Sequence, residues 1–180
     1  MTRVAIQGVI GSYSEEAVRE IFGREATIVE CLDFSETFAA VRSGQADNAV
    51  VPVENKIVGD IAEPIRLLNS GAFQIYERLE LKVRHVLAGT PDASISGLAT
   101  VRSHTEALKQ CRRFFATNHH LMQVIGSDTA SSVKRIVEQG DPANGAIGSR
   151  RAAKIYGAKI LAENIADDID NWTTFYLIGN

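Results

Sequence analysis

Ala49-Val50-Val51-Pro52-Val53 is the most apolar strand-like run of this chain, and Glu54-Asn55 follows it directly. Five residues without a charge, rich in valine, read as a strand buried on both faces, as in a sheet covered by helices. The flanking sequence agrees. Upstream, Val4-Ala5-Ile6 is another short apolar run leading into Gly8 and Gly11, followed by a helix with Ala17, Val18, Ile21 and Phe22 on one face. Ser12 and Glu15 form a capping box for that helix and Gly23 stops it. Asp33 and Glu36 repeat the box ahead of Phe34, Phe38 and Val41, with Gly44 as the stop. Downstream come a turn over residues 55–59 and a short helix carrying Ile65, Leu67 and Leu68. Two signals compete for its start, a box from Asp60 and Glu63, and Pro64, which prefers the first helical position.

Residues 73–88 read as extended, with Ile75, Leu79, Leu81 and Val83 alternating. The stretch is too long for one ordinary strand and suits a crossing between two lobes. A second series follows: a strand over 99–102, a helix over 104–116, a strand over 121–125, a helix over 129–138, a strand at 145–147 and a helix over 150–156. Residues 159–165 are again extended, and a final strand covers 173–178. Strands alternating with helices predict an α/β fold built from two units joined by two extended crossings.

The composition excludes several classes. In 180 residues, 19 Lys and Arg stand against 22 Asp and Glu, a net charge of -3 that argues against general nucleic-acid binding. The longest apolar runs fall far short of a membrane span, and no signal-peptide pattern precedes Val4. Cys31 and Cys111 lie far apart in sequence, so free thiols in a reducing compartment are expected, and with them a soluble cytoplasmic protein.

No cofactor or metal is expected. Gly8 and Gly11 lack the third glycine of a dinucleotide fingerprint, and no phosphate-binding GKS or GKT occurs. His119 and His120 are adjacent and point apart, while His85 and His104 are isolated. The junctions are more informative. Gly11-Ser12, Ser103, Ser127-Asp128 and Ser149 each stand between an apolar run and a helix start. Such junctions gather at the carboxyl edge of a sheet, where helix N-termini offer N–H groups to carboxylates or phosphates. Glu54-Asn55 ends the most apolar strand on that same edge.

These residues also carry a resemblance. Val51-Pro52-Val53-Glu54-Asn55, with Gly59 after it, resembles the VPIENSxxG segment of the prephenate dehydratase family. Gly8-Val-Ile-Gly-Ser-Tyr-Ser14 is similar to its GPxGTFS opening, and Ser103 to Cys111 to its SHPQALxQC. Asp128-Thr129-Ala130 matches its STA with one change, and residues 145–178 resemble its closing AAIAS to TRFxxI segment. The motifs occur in the family's order from Val4 to Ile178.

The resemblance implies a two-lobed α/β fold like the type II periplasmic-binding proteins, with the active site in the inter-lobe cleft. Residues 1–82 and 165–180 are expected to form lobe 1 and residues 83–164 lobe 2. It implies conversion of prephenate, or its relative arogenate, to the aromatic product with loss of water and carbon dioxide, in phenylalanine biosynthesis. The implied partner is this small dicarboxylate, with no nucleic acid and no membrane, and the implied assembly is a homodimer. The catalytic residues carried over are Thr173, which assists departure of the ring hydroxyl, with Glu54, Asn55, Ser103 and Gln110. Gly11, Ser12, Lys56, Thr129 and Ala130 are the implied substrate-binding residues.

The departures are specific. The arginine of TRF is Thr174, and the serine after Glu-Asn is Lys56, which makes Lys56 the candidate to replace the lost cation. Val9 replaces the opening proline, and Asp128 replaces a serine. The regulatory ACT domain usual in the family does not follow Ile178, so feedback through that module is not expected. Two other readings stand beside the dehydratase: a non-aromatising prephenate decarboxylase, and a non-catalytic small-molecule sensor. Glu54, Asn55 and Thr173 favour the dehydratase, while Thr174 and Lys56 alone support the sensor.

Overall fold

In this computed structural model, which describes residues 1–71 and 73–180, the chain leaves one sheet and later returns to it. Two units result: Met1–Val83 with Asn171–Asn180, and Arg84–Asp170. The sequence reading put these boundaries after residues 82 and 164. Among the described residues no helix is long and apolar enough to cross a membrane.

The first unit runs β1 (Arg3–Gln7), α1 (Tyr13–Phe22), β2 (Thr27–Cys31), α2 (Phe34–Arg42), β3 (Asn48–Asn55), β4 (Gly59–Asp60), α3 (Ala62–Leu68) and β5 (Gln74–Lys82). The chain's last strand, β11 (Trp172–Gly179), completes it. The sheet order is β2-β1-β3-β11-β5, with β4 paired to β3. β1 is parallel to β2 and β3, whereas β11 is antiparallel to both β3 and β5. Both faces are covered, as the apolar run of β3 predicts. Val4, Ile6, Val50, Phe175 and Leu177 pack with Ala17 and Val18 of α1. Ala5, Val51, Val53 and Ile178 pack with Phe38 and Val41 of α2 on the other face. Each fully buried side chain of this kind contributes about 1.5–3 kcal/mol.

One irregularity positions the site. In the β3–β11 register Asn55 pairs with Thr173, Glu54 with Thr174 and Pro52 with Phe175, leaving Val53 without a partner in β11. Pro52 has no N–H to give a ladder, and prolines within sheets concentrate at such bulges. The extra residue breaks the alternation of β3. Asn55 therefore joins the face of Thr173, Phe175 and α1, instead of the face of Val51 and Val53.

The second unit runs β6 (Val86–Gly89), a 3-10 turn (Ile95–Gly97), β7 (Thr100–Ser103), α4 (Thr105–Lys109), α5 (Arg112–Thr117) and β8 (Met122–Ile125). α6 (Thr129–Gln139), β9 (Asn144–Gly148), α7 (Arg150–Tyr156) and β10 (Lys159–Ala162) follow. Its sheet order is β10-β6-β9-β7-β8, with β7 parallel to β8 and β9. The core gathers Leu87, Val101, Leu108, Phe115 and Ile147. A Cβ at Gly148 would lie 2.6 Å from Val133 Cγ2 and 3.2 Å from the Thr129 carbonyl, so the glycine lets α6 lie close on β9.

Several expectations change. The helix expected over 104–116 is two helices. The Gln110 carbonyl accepts from Asp167 N at 2.6 Å, and the Asp167 carboxylate accepts from Arg112 N and Arg113 N, so the returning loop takes over backbone groups a continuous helix would pair. α3 uses neither proposed start: Ile61 caps it without a side-chain bond, Asp60 belongs to β4, and Pro64 is its third residue. β2 was not anticipated, although the stop at Gly23 and the cap at Asp33 bracket it. The stretch 73–88 is two strands in two sheets.

Both cysteines are free and buried. Burial, with a smaller contribution from Asp167, pushes the Cys111 thiol up to about 12, and burial also raises that of Cys31. Folded protein at pH 8 is therefore expected to react negligibly with an aromatic disulfide reagent, and denatured protein to release two equivalents. Rapid labelling of the native protein would contradict the packing described.

Candidate active site

Asn55 is the hub of the first unit's carboxyl edge. Its Oδ1 accepts from Ile57 N and Val58 N, both at 3.1 Å, which fixes the amide orientation and ties down the turn after β3. The Nδ2 end then faces β11, donating to Asn171 Oδ1 at 2.8 Å and Thr173 Oγ1 at 2.9 Å, with the Trp172 carbonyl at 3.1 Å. Asn171 is fully buried, and Asn55 and Thr173 nearly so. Because the Thr173 oxygen accepts from Asn55, its hydroxyl proton points elsewhere, and no protein acceptor takes it among the described residues. A hydroxyl polarised at its oxygen is a better donor.

Glu54 does not join this group. It is exposed, pairs across the strands with Thr174 and Asp60, and lies on the other face from Asn55. Thr174 is buried on that same face, flanked in register by Glu54 of β3 and Glu80 of β5. Lys56 is exposed, and its N–H donates to the Trp172 carbonyl at 2.9 Å. Gly11 and Ser12 are buried at the start of α1. Ser12 Oγ accepts from Glu15 N at 3.2 Å, and Gly11 N donates to Glu15 Oε2 at 3.4 Å. The capping box thus already supplies this helix end with a carboxylate.

In the second unit Ser103 is fully buried, and its hydroxyl donates to the Ile147 carbonyl at 2.7 Å, stitching β7 to β9. Gln110 is buried at the α4–α5 break, its Oε1 2.9 Å from His85 Nε2. Burial lowers the His85 pKa against the opposing bond to Gln110, which favours the neutral ring. Ala130 is buried and Thr129 partly so in the first turn of α6. Asp128 caps that helix, accepting from Ser131 N at 2.7 Å, so a carboxylate also stands where a substrate carboxylate was expected to lie. Among the described residues no group of three or more His, Cys, Asp or Glu is placed to hold a metal ion.

The family model for prephenate dehydratase matches residues 4–180. The chain belongs to the prephenate dehydratase family. An arogenate dehydratase/prephenate dehydratase of Arabidopsis thaliana is 38% identical over 98% of this chain and 45% of its own length. The chain spans about half the length of the curated relatives it matches. A crystal structure described as the prephenate dehydratase of Arthrobacter aurescens in complex with L-Phe superposes with a TM-score of 0.90 at 28% identity, over 99% of this chain and 60% of that one. A structure described as GqqA, a novel type of quorum quenching acylase, superposes at 0.87 with 30% identity, over 99% and 64%. The BvgS periplasmic domain of B. pertussis, at 14% identity and 0.50 over 99% of this chain and 36% of that one, shares the fold alone.

Against the prephenate dehydratase pattern, sequence reasoning passed over two residues. Asn171 stands in the closing motif and was given no role, though it anchors Asn55. His85 was set aside as isolated, because its partner Gln110 lies 25 positions away. The missing TRF arginine also changes meaning: at Thr174 it would sit beside Glu54 and Glu80, on the face away from Thr173.

Asn55→Ala removes partners from both main chain and side chains, so a loss of about 2–4 kcal/mol is expected in urea unfolding. Glu54→Gln, exposed and unpaired among the described residues, is expected to change stability by under about 0.5 kcal/mol. Equal effects would deny Asn55 its role as the hub.

Proposed function

We propose that the chain is a prephenate dehydratase, with arogenate as a second substrate of the same chemistry. The supporting observation is the Asn55–Thr173 pair, which leaves a buried hydroxyl as donor at a sheet's carboxyl edge. In the reaction the bond to the ring carboxylate breaks and its electron pair enters the ring. The C–O bond to the ring hydroxyl breaks, and the oxygen leaves with its pair. One proton from solvent completes the water, and phenylpyruvate and carbon dioxide are the other products. Thr173 donates a hydrogen bond to the departing oxygen, where charge develops. Asn55 positions that donor, Asn171 positions Asn55, and Gln110 offers an amide donor to a substrate carboxylate.

Glu54 and Ser103 take lesser parts in this proposal. Glu54 is exposed away from Thr173, and the Ser103 proton is committed to the Ile147 carbonyl. Gly11 and Ser12 in the first unit, and Thr129 and Ala130 in the second, are proposed to contact substrate through their backbone. Lys56 remains the proposed cation for one carboxylate, because it directly follows Asn55. We also propose a cytoplasmic homodimer: two free buried thiols fit a reducing compartment, and the family resemblance implies the dimer.

Acyl-amide hydrolysis is a second reading, favoured by the quorum quenching acylase neighbour. It fits less well, since the Thr173 oxygen lone pair meets an amide donor and no base contacts the hydroxyl among the described residues. Incubation with prephenate is expected to yield phenylpyruvate. A non-aromatic keto acid would indicate decarboxylation alone, and binding without turnover would overturn the enzymatic reading.

Thr173→Val is expected to keep the fold and lower kcat roughly a hundredfold or more, with kcat/KM falling in parallel. A variant within a few-fold of wild type would remove Thr173 from the chemistry.

A further inference from the structure

An amide side chain is nearly symmetric in shape but opposite in polarity at its two ends. A glutamine facing a carboxylate helps only if its NH2 group points there, and its oxygen would repel the same ligand. Something must therefore set the polarity of Gln110. Its backbone is already pinned, with the N–H donating to the Glu106 carbonyl at 3.0 Å and the carbonyl accepting from Asp167 N at 2.6 Å. The residue is 9% exposed, and its side-chain Oε1 meets His85 Nε2 at 2.9 Å. His85 is 3% exposed and stands just ahead of β6, in the same unit.

We infer that His85 is a positioning residue for Gln110: its Nε2–H donates to Oε1 and so turns the NH2 end of the amide away from the ring, in the orientation that suits a substrate carboxylate. The inference rests on the proposed contact between Gln110 and substrate. A neutral, buried imidazole carries one ring proton, so the Nε2–H tautomer is required, and a charged ring is not.

Two measurements on the whole chain test this. The first needs no variant beyond those used for assignment: the nitrogen NMR shifts of the His85 ring in the wild-type protein are expected to show Nε2 protonated. A neutral ring protonated only at Nδ1 would overturn the inference. The second is steady-state kinetics with prephenate, with urea unfolding as a check on folding. His85→Phe keeps ring volume and removes the donor, and is expected to raise KM about tenfold with kcat nearly unchanged, the mark of a lost uniform binding interaction. His85→Asn, which restores an N–H, is expected to recover part of that loss. In a Gln110→Leu background, His85→Phe is expected to add less than a twofold further change. Additive losses would show that His85 acts independently of Gln110 and would overturn the inference. If Gln110→Leu impairs binding while His85→Phe does not, His85 alone loses its role. If Gln110→Leu behaves as wild type, the proposed substrate contact falls, and the inference falls with it.

Discussion

The side-chain amide of Asn55 is the constraint on which the first unit's site depends. Its oxygen is held by the backbone of the turn that follows it, and its nitrogen by Asn171 and the opening of the last strand. With the oxygen committed to N–H groups, the amide has one orientation, and the direction of the Thr173 hydroxyl follows from it. Residues 116 and 118 positions apart are joined by this one group, so the chain's return from the second unit and the donor's aim are fixed together.

The bulge at Val53 gives that constraint its place. A regular β3 would carry Asn55 on the face of Val51 and Val53, toward α2 and α3. The unpaired residue instead turns Asn55 onto the face shared with Thr173, Phe175 and α1. Pro52 supplies a local cause, because it cannot donate to a ladder. β11 runs antiparallel to β3, so its opening residues lie beside the end of β3. The sheet's carboxyl edge thus gains a donor from the N-terminal end of a strand.

Much of this was legible in the sequence because it was local. The apolar run of β3, the capping boxes of α1 and α2, and Gly23 closing α1 follow from short-range rules. The ordered motifs pointed to Asn55, Thr173 and Gln110. What was not legible is tertiary. The break of the expected helix at Gln110–Cys111 depends on Asp167, more than fifty residues away. Which of Glu54 and Asn55 faces Thr173 depends on a register shift that no spacing rule reveals. Thr174 looked like a missing substrate contact, and its neighbours in the sheet are Glu54 and Glu80. The helix ends expected to hold substrate carboxylates already carry Glu15 and Asp128, which moves the search for carboxylate partners to amides and cations.

The central claim is that the Thr173 hydroxyl is aimed at the ring hydroxyl of the substrate. A crystal structure of Thr173→Val with prephenate bound tests it most directly. The account predicts the ring hydroxyl oxygen against the side chain at position 173, close to where Oγ1 stood, with Asn55 still bonded to Asn171. A ring hydroxyl turned away from position 173, with a carboxylate or solvent in its place, would contradict it.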